Sequence, residues 1–153
     1  MTHTTCGSTT HRRLEGGAHR EELGHQALLL VETSLLGAEV LHSGSNLAQI
    51  IFDLGKLRDR RAVPVLIKHL PEVQNRREMV EALGEIGDPA AAEALLARLR
   101  SDEYVPVRIA AAKALARLGD AHLAAPVDEA ARKEKEATVA AAARAAAAAL
   151  RGK

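Results

Sequence analysis

The chain has 153 residues and a formal net charge of +1; its apolar fraction is 47%, much of it alanine, and aromatic residues make up only 1%. A nearly neutral charge excludes a strong overall attraction to nucleic acid or to an anionic membrane surface. The scarcity of aromatic side chains argues against a deep pocket for a small ligand, whereas abundant alanine favours closely packed helices.

The first 19 residues are polar throughout, and we expect a disordered tail there. They lack the apolar core of a secretory signal, and the longest apolar run of the chain, residues 145–150, is too short to span a membrane. The single cysteine, Cys6, cannot form an internal disulfide, which favours a reducing compartment. The sequence therefore predicts a cytoplasmic protein.

Residues 20–43 predict one long helix that caps the array described next and interacts through its outer side. One apolar face, expected to cover the end of the array, contains Leu23, Ala27, Leu30, Val31, Ala38 and Leu41. A second apolar stripe consists of Leu29, Leu36 and Val40. Either the helix lies wedged between two neighbours, or the second stripe contacts a partner or a second copy of the chain, forming a homodimer.

Residues 46–153 repeat one pattern at spacings of 29 and 32 residues. An apolar anchor is followed at constant distances by an aspartate and a second apolar anchor, giving the sets Leu54–Asp59–Leu66, Leu83–Asp88–Leu95 and Leu115–Asp120–Val127. A repeat of this length is typical of a stacked array, because one unit cannot bury its apolar face alone.

Each unit reads as a helix, a tight turn and a second helix. Residues 75–86 place apolar side chains at helical spacing, and residues 90–100 do so again. Between them, Gly87 permits the left-handed backbone that ends a helix, Asp88 supplies a cap for the next one, and Pro89 suits its first turn. Arg76 and Arg108 recur at the start of the first helices, and we expect them to pair with the turn aspartates.

The segment VRIAAAKALARLGD at residues 107–120, followed by a second helix, resembles the HEAT-like repeat found in phycobilin lyases and in many bacterial scaffold proteins. The resemblance implies an all-α fold: a short right-handed solenoid of about three helix pairs preceded by the capping helix. Arg58 departs from the pattern, since it occupies the position of the turn glycine, and the last segment is mostly alanine. Terminal units of solenoids commonly depart in this way.

A ridge of side chains faces away from the seam between helices, and we expect it to line the concave surface. It carries Phe52, the acidic Glu78, Glu81 and Glu85, and the basic Lys113 and Arg117. Either these charges pair on a solvated face, or they form a docking strip for a partner protein with Phe52 as its apolar anchor. Phe52 has a second alternative, burial beneath the first helix.

Catalytic and cofactor motifs are missing from the sequence. None of the seven histidines has a metal-ligand spacing, and no nucleophile motif or phosphate-binding loop occurs. A HEAT-like deoxyhypusine hydroxylase would require His–Glu pairs on its repeat helices, yet no histidine is followed by glutamate. Base stacking on nucleic acid would need more aromatic side chains than Phe52 and Tyr104.

The sequence therefore predicts a non-enzymatic protein-binding scaffold or adaptor that uses the ridge, without metal or cofactor. Its partner is another protein rather than nucleic acid or a membrane. The alternative is an accessory subunit, or a chaperone resembling the bilin lyases, for a small-molecule or chromophore-bearing partner.

Overall fold

The computed structural model describes residues 9–35, 44–72 and 74–152, with side chains described for 17–32, 47–72 and 74–152. All regular structure in these ranges is helical, and the helices are α1 (Thr9–Leu35), α2 (Gly44–Leu57), α3 (Ala62–His69), α4 (Arg76–Ile86), α5 (Ala92–Ser101), α6 (Val105–Leu118), α7 (Ala124–Lys133) and α8 (Ala137–Arg151). Single 3₁₀ turns at Pro89–Ala91 and Ala121–Leu123 lead into α5 and α7.

The helices stack in two rows. In the inner row α2 packs against α4, α4 against α6, and α6 against α8; the outer row consists of α3, α5 and α7. Helix α1 packs on α2 and α3 at one end, and α8 contacts α6 and α7 at the other. Between the rows, α3 packs against α4, α5 against α6 and α7 against α8. The fold is thus an all-α solenoid, and the fold class predicted from the repeat is confirmed.

The core lies between the two rows and contains the repeated apolar anchors. Six of them are fully buried, at 0% exposure: Leu54, Leu66, Leu83, Leu95, Leu115 and Val127. Each leucine contributes about 1.5–3 kcal/mol when it is buried completely. The sequence repeat therefore reflects a repeated packing layer.

Small residues set the close spacing of the inner helices. A Cβ atom added to Gly84 would lie 2.7 Å from the Cβ of Ala114, and one added to Gly55 would lie 3.0 Å from the Cα of Ala82. Real Cβ atoms essentially never approach other atoms closer than 3.0 Å, so Gly84 has no room for a side chain, and a Cβ atom at Gly55 would be tightly packed. Glycine faces alanine at both positions because successive inner helices meet backbone to backbone.

The turns between inner and outer helices share one construction. Gly87 and Gly119 adopt the left-handed backbone, with φ of 71° and 70°. Just beyond each of them, Asp88 and Asp120 accept a hydrogen bond at 2.9 Å from the backbone N–H two residues later. Both features agree with the capping expected from the sequence.

Helix α1 differs from its prediction in two respects. It begins at Thr9, within the segment predicted to be a disordered tail; from Thr9 onward that segment contains helix-forming arginine, leucine, glutamate and alanine residues and no proline to end the helix. Among the described residues of the predicted buried face only Val31 is fully buried, while Leu23 and Leu30 are 44% and 39% exposed. Ala38 and Leu41 of that face lie outside the described residues. No helix in the described ranges is long and apolar enough to cross a membrane.

Arg76 and Arg108 support the stack through acids other than the predicted ones. Instead of the turn aspartates, Arg76 pairs with Asp102 at 3.1 Å, and Arg108 lies 3.0 Å from Glu134. Both acids follow an outer helix, on the side of the stack where the inner helices begin. The turn aspartates lie beyond the other end of the inner helices, out of reach of an arginine in their first turns.

Candidate functional site on the inner face

The predicted ridge residues lie together at one recess of the inner face, which we call the inner recess. Its volume is about 320 Å³, and its walls come from three successive inner helices: Phe52 and Lys56 of α2; Glu78, Glu81, Ala82 and Glu85 of α4; and Ala110, Lys113 and Arg117 of α6. All six predicted ridge residues are among them. Ala82 was not predicted, although its place one residue after Glu81 and opposite Gly55 put it at the seam.

Three charges close one end of the inner recess. Glu85 lies between two cations, with Lys56 at 3.5 Å and Arg117 at 3.0 Å. These contacts join α2, α4 and α6 across the face, so the predicted pairing of neighbouring charges is present at this end. One carboxylate serves two cations here, and the group therefore carries a net positive charge.

Glu81, in the middle of the recess, pairs within its own helix. Its carboxylate accepts a hydrogen bond from the Nε of Arg77 at 2.9 Å. This bond raises the pKa of Arg77 above its ordinary value. Glu81 therefore carries little uncompensated charge.

Phe52 and two charged side chains occupy the rest of the recess. Phe52 is 51% exposed, so the alternative that it is buried beneath α1 is wrong. The Nζ of Lys56 lies 5.2 Å from its ring centroid, a cation–π contact. Glu78 on α4 and Lys113 on α6 form no direct ion pair within the side chains described, although Glu78 acts on Arg77 through its field. The recess therefore offers one carboxylate, one ammonium group and one ring.

The second stripe of α1 is only partly visible. Leu29 is 47% exposed, whereas Leu36 and Val40 lie outside the described residues. The homodimer contact expected from this stripe stays a prediction.

A larger open recess of about 810 Å³ lies where α5 and α7 end. Lys133 pairs with Glu129 at 2.6 Å and Arg108 lies beside Glu134 at 3.0 Å, whereas Arg100 and Lys135 form no direct ion pair among the side chains described. No aromatic residue lines this larger recess. The inner recess, which combines unpaired charges with the exposed ring of Phe52, is the stronger candidate for a binding site.

The described residues do not fit a metal centre. His69 is buried, and its Nδ1 lies 2.7 Å from the Oε1 of Glu72, the single contact in these ranges between a histidine and a glutamate. No group of three or more potential ligands is found in the part of the chain that the structure describes. Since a protein metal site needs several converging ligands, we assign no step to a metal here.

Two curated proteins resemble parts of the chain, and both are named deoxyhypusine hydroxylase. The one from Candida glabrata is 33% identical over 85 residues, which is 53% of this chain and 26% of that protein. The one from Bos taurus is 40% identical over 63 residues, which is 39% of this chain and 20% of that protein. The matches thus span about a quarter or less of the length of these relatives.

Both relatives are named as enzymes, and this finding overturns the prediction that the chain is a non-enzymatic scaffold. That prediction depends on the absence of catalytic motifs from these residues. A repeat segment need not carry the motif, since activity in a solenoid protein can depend on residues of several units. The family model for HEAT repeats matches residues 42–105 and 71–149, which together cover most of the chain. The chain belongs to the HEAT-repeat family.

Proposed function

We propose that this chain is a substrate-binding segment of an enzyme of the deoxyhypusine hydroxylase type. It holds a polypeptide by inserting an amine-bearing side chain into the inner recess. The observation that carries the proposal is the pairing of an uncompensated carboxylate, Glu78, with the exposed ring of Phe52 in one recess. The two similar enzymes, named for an amine-bearing residue, supply the chemical class of the ligand.

The recess suits a long alkylamine on physical grounds. Its floor contains Ala82 and Ala110, whose small side chains leave room between α4 and α6. Methylene groups pack on the ring of Phe52, while the ammonium group binds the carboxylate of Glu78. The ring already holds one ammonium group, that of Lys56, at cation–π distance.

The basic residues of the recess favour a ligand that has negative charge next to its amine-bearing side chain. Lys113 is exposed, and the cluster of Lys56, Glu85 and Arg117 carries net positive charge. A polypeptide with an acidic residue near its amine-bearing side chain would satisfy both signs, and charge complementarity of this kind improves specificity and association rate. The proposal also includes a cytoplasmic location, which the single cysteine supports.

Isothermal titration calorimetry with two synthetic peptides tests this function. The peptides share one acidic flanking sequence and carry either deoxyhypusine or the uncharged norleucine at the central position. We expect the deoxyhypusine peptide to bind at least about tenfold more tightly, since a hydrogen bond to a charged group contributes about 1.5–3 kcal/mol. Equal affinity of the two peptides, or no saturable heat with either, would refute the proposal.

A pair of isosteric variants locates the site. Glu78→Gln should weaken binding of the deoxyhypusine peptide about fivefold, because it removes a partly exposed ion pair worth about 1 kcal/mol. Glu93→Gln on the outer helix α5 is the matched control, because Glu93 is likewise a glutamate on the surface of a helix but lies outside the inner recess. Equal losses in both variants would mean that binding depends on overall charge and not on the inner recess.

A further inference from the structure

A second recess lies at the turn between α2 and α3, outside the inner recess. Its volume is about 420 Å³, and it is lined by Arg20, Glu21, Leu57, Arg58, Asp59, Arg60 and Arg61. Four of these seven residues are arginines, although the chain as a whole is close to neutral. We call this surface the arginine recess.

One of the four arginines is used internally. Arg61 donates to both carboxylate oxygens of Asp59, at 2.6 and 2.9 Å, and also to the carbonyl oxygen of Glu21 at 3.1 Å. These bonds fix the turn to helix α1. Arg61 and Asp59 therefore compensate each other and leave the other arginines to determine the charge of the recess.

The other three arginines are weakly compensated. Arg20 and Arg58 form no direct ion pair with any side chain described, and Arg60 lies 3.7 Å from Asp88 with 74% of its side chain exposed. Glu21 is the remaining carboxylate of the recess, and it likewise forms no direct ion pair among the side chains described. Three guanidinium groups thus face one acid at a single site.

The backbone at Arg58 is strained in a way that its equivalents are not. Arg58 has a φ of 54°, in the left-handed region, and the corresponding positions in the next two units are Gly87 and Gly119. Glycine adopts this conformation freely, whereas a residue with a Cβ atom does so at a cost. Strained residues cluster at binding sites, and this strained position lines the arginine recess, which points to a role in binding.

We propose that the arginine recess binds a phosphoryl group, either free phosphate or the phosphate of a phosphorylated polypeptide. A phosphoryl group carries about 1.5–2 negative charges at neutral pH and presents three acceptor oxygens. Several guanidinium groups can therefore donate to it at once, each through a planar fork. A carboxylate offers one charge and two oxygens, and a single arginine satisfies it.

Calorimetric titrations at fixed ionic strength test the proposal with three probes. They are inorganic phosphate, a short phosphoserine peptide, and the same peptide with glutamate in place of phosphoserine. Saturable binding of phosphate or of the phosphoserine peptide, with at least about tenfold weaker binding of the glutamate peptide, supports the site. Stronger binding of the phosphoserine peptide than of phosphate identifies a polypeptide as the source of the phosphoryl group, and equal binding identifies free phosphate.

Arg58→Gly distinguishes binding from a purely structural role. This variant should raise the thermal midpoint in the absence of ligand, because glycine relieves the strain, and should weaken phosphoryl binding at least about tenfold. Arg144→Gln, an exposed arginine on α8, is the control and should bind like the wild type. The proposal is wrong if neither phosphoryl probe binds, or if Arg58→Gly binds as tightly as the control.

Discussion

Arg76 fixes the junction between the first and second helix pairs, and we predict that Arg76→Met is strongly destabilising. Its guanidinium donates to the carbonyl oxygens of Leu70 at 2.9 Å and Pro71 at 2.8 Å, beyond the end of α3. It also donates to both oxygens of Asp102, at 3.1 and 3.3 Å. One side chain therefore joins the end of α3, the start of α4 and the end of α5.

The magnitude follows from the burial of the acid. The side chain of Asp102 is 0% exposed and that of Arg76 is 8% exposed, so removing the arginine leaves a carboxylate without its main counter-charge. Breaking a buried pair in this way costs about 3–5 kcal/mol. We expect about 3 kcal/mol, because Asp102 keeps a contact of 3.4 Å with Arg98 and a hydrogen bond of 3.0 Å from the backbone N–H of Tyr104.

Urea unfolding followed by far-ultraviolet circular dichroism measures this effect. The variants are Arg76→Met, Asp102→Asn and the double variant. The double variant should lose less stability than the sum of the single losses, since it leaves no unpaired buried charge. The reasoning is refuted if the free energy of unfolding of Arg76→Met lies within about 1 kcal/mol of the wild-type value, or if the double variant loses as much stability as the two single variants together.

The remaining predictions concern packing and pH, and denaturant or thermal melts check all of them. Gly84→Ala should destabilise the fold, because overpacking between α4 and α6 costs about 1–3 kcal/mol and outweighs the gain in helix propensity. Gly17→Ala, with nothing within 4 Å of the added Cβ, should stabilise the fold by up to about 1 kcal/mol. A more stable Gly84→Ala than Gly17→Ala variant would contradict the close contact between Gly84 and Ala114. Leu95→Asp places a charge at a fully buried position and should unfold the whole short array, so a melt like that of the wild type would disprove the repeat register. Hydrogen bonds from Arg61 hold the pKa of Asp59 below its ordinary value, so the stability that this carboxylate contributes is present above the ordinary pKa and is lost as the pH falls through the lowered pKa. The Asp59→Asn variant should therefore lose less stability than the wild type between about pH 5 and about pH 2. Parallel plots of the free energy of unfolding against pH for the two proteins would disprove this contribution.

The sequence was sufficient for the helices, for their repeat spacing and for the position of the ridge residues side by side. Periodic leucines determine which side of each helix is buried, and the Gly–Asp turns determine where the inner helices end. Because equivalent positions of stacked repeats lie side by side, residues separated by 29 or 32 positions become neighbours. This is why the repeat spacing alone predicts one surface for the ridge residues from Phe52 to Arg117.

The sequence did not determine the ion-pair partners of these side chains. The repeat fixes the position of each arginine on its helix, but it does not fix which carboxylate lies close enough to pair with it. Arg76 pairs with Asp102 instead of a turn aspartate, and the stack leaves Phe52 exposed although a place beneath α1 was equally compatible with its spacing. The convergence of Arg20 with the arginines of the α2–α3 turn likewise depends on how α1 lies against that turn. The periodicity of apolar residues follows from the backbone geometry of a helix, so the sequence by itself determines which helices form and which faces they bury. The pairing of long charged side chains depends on distances between helices, and only the tertiary structure decides which pairs form.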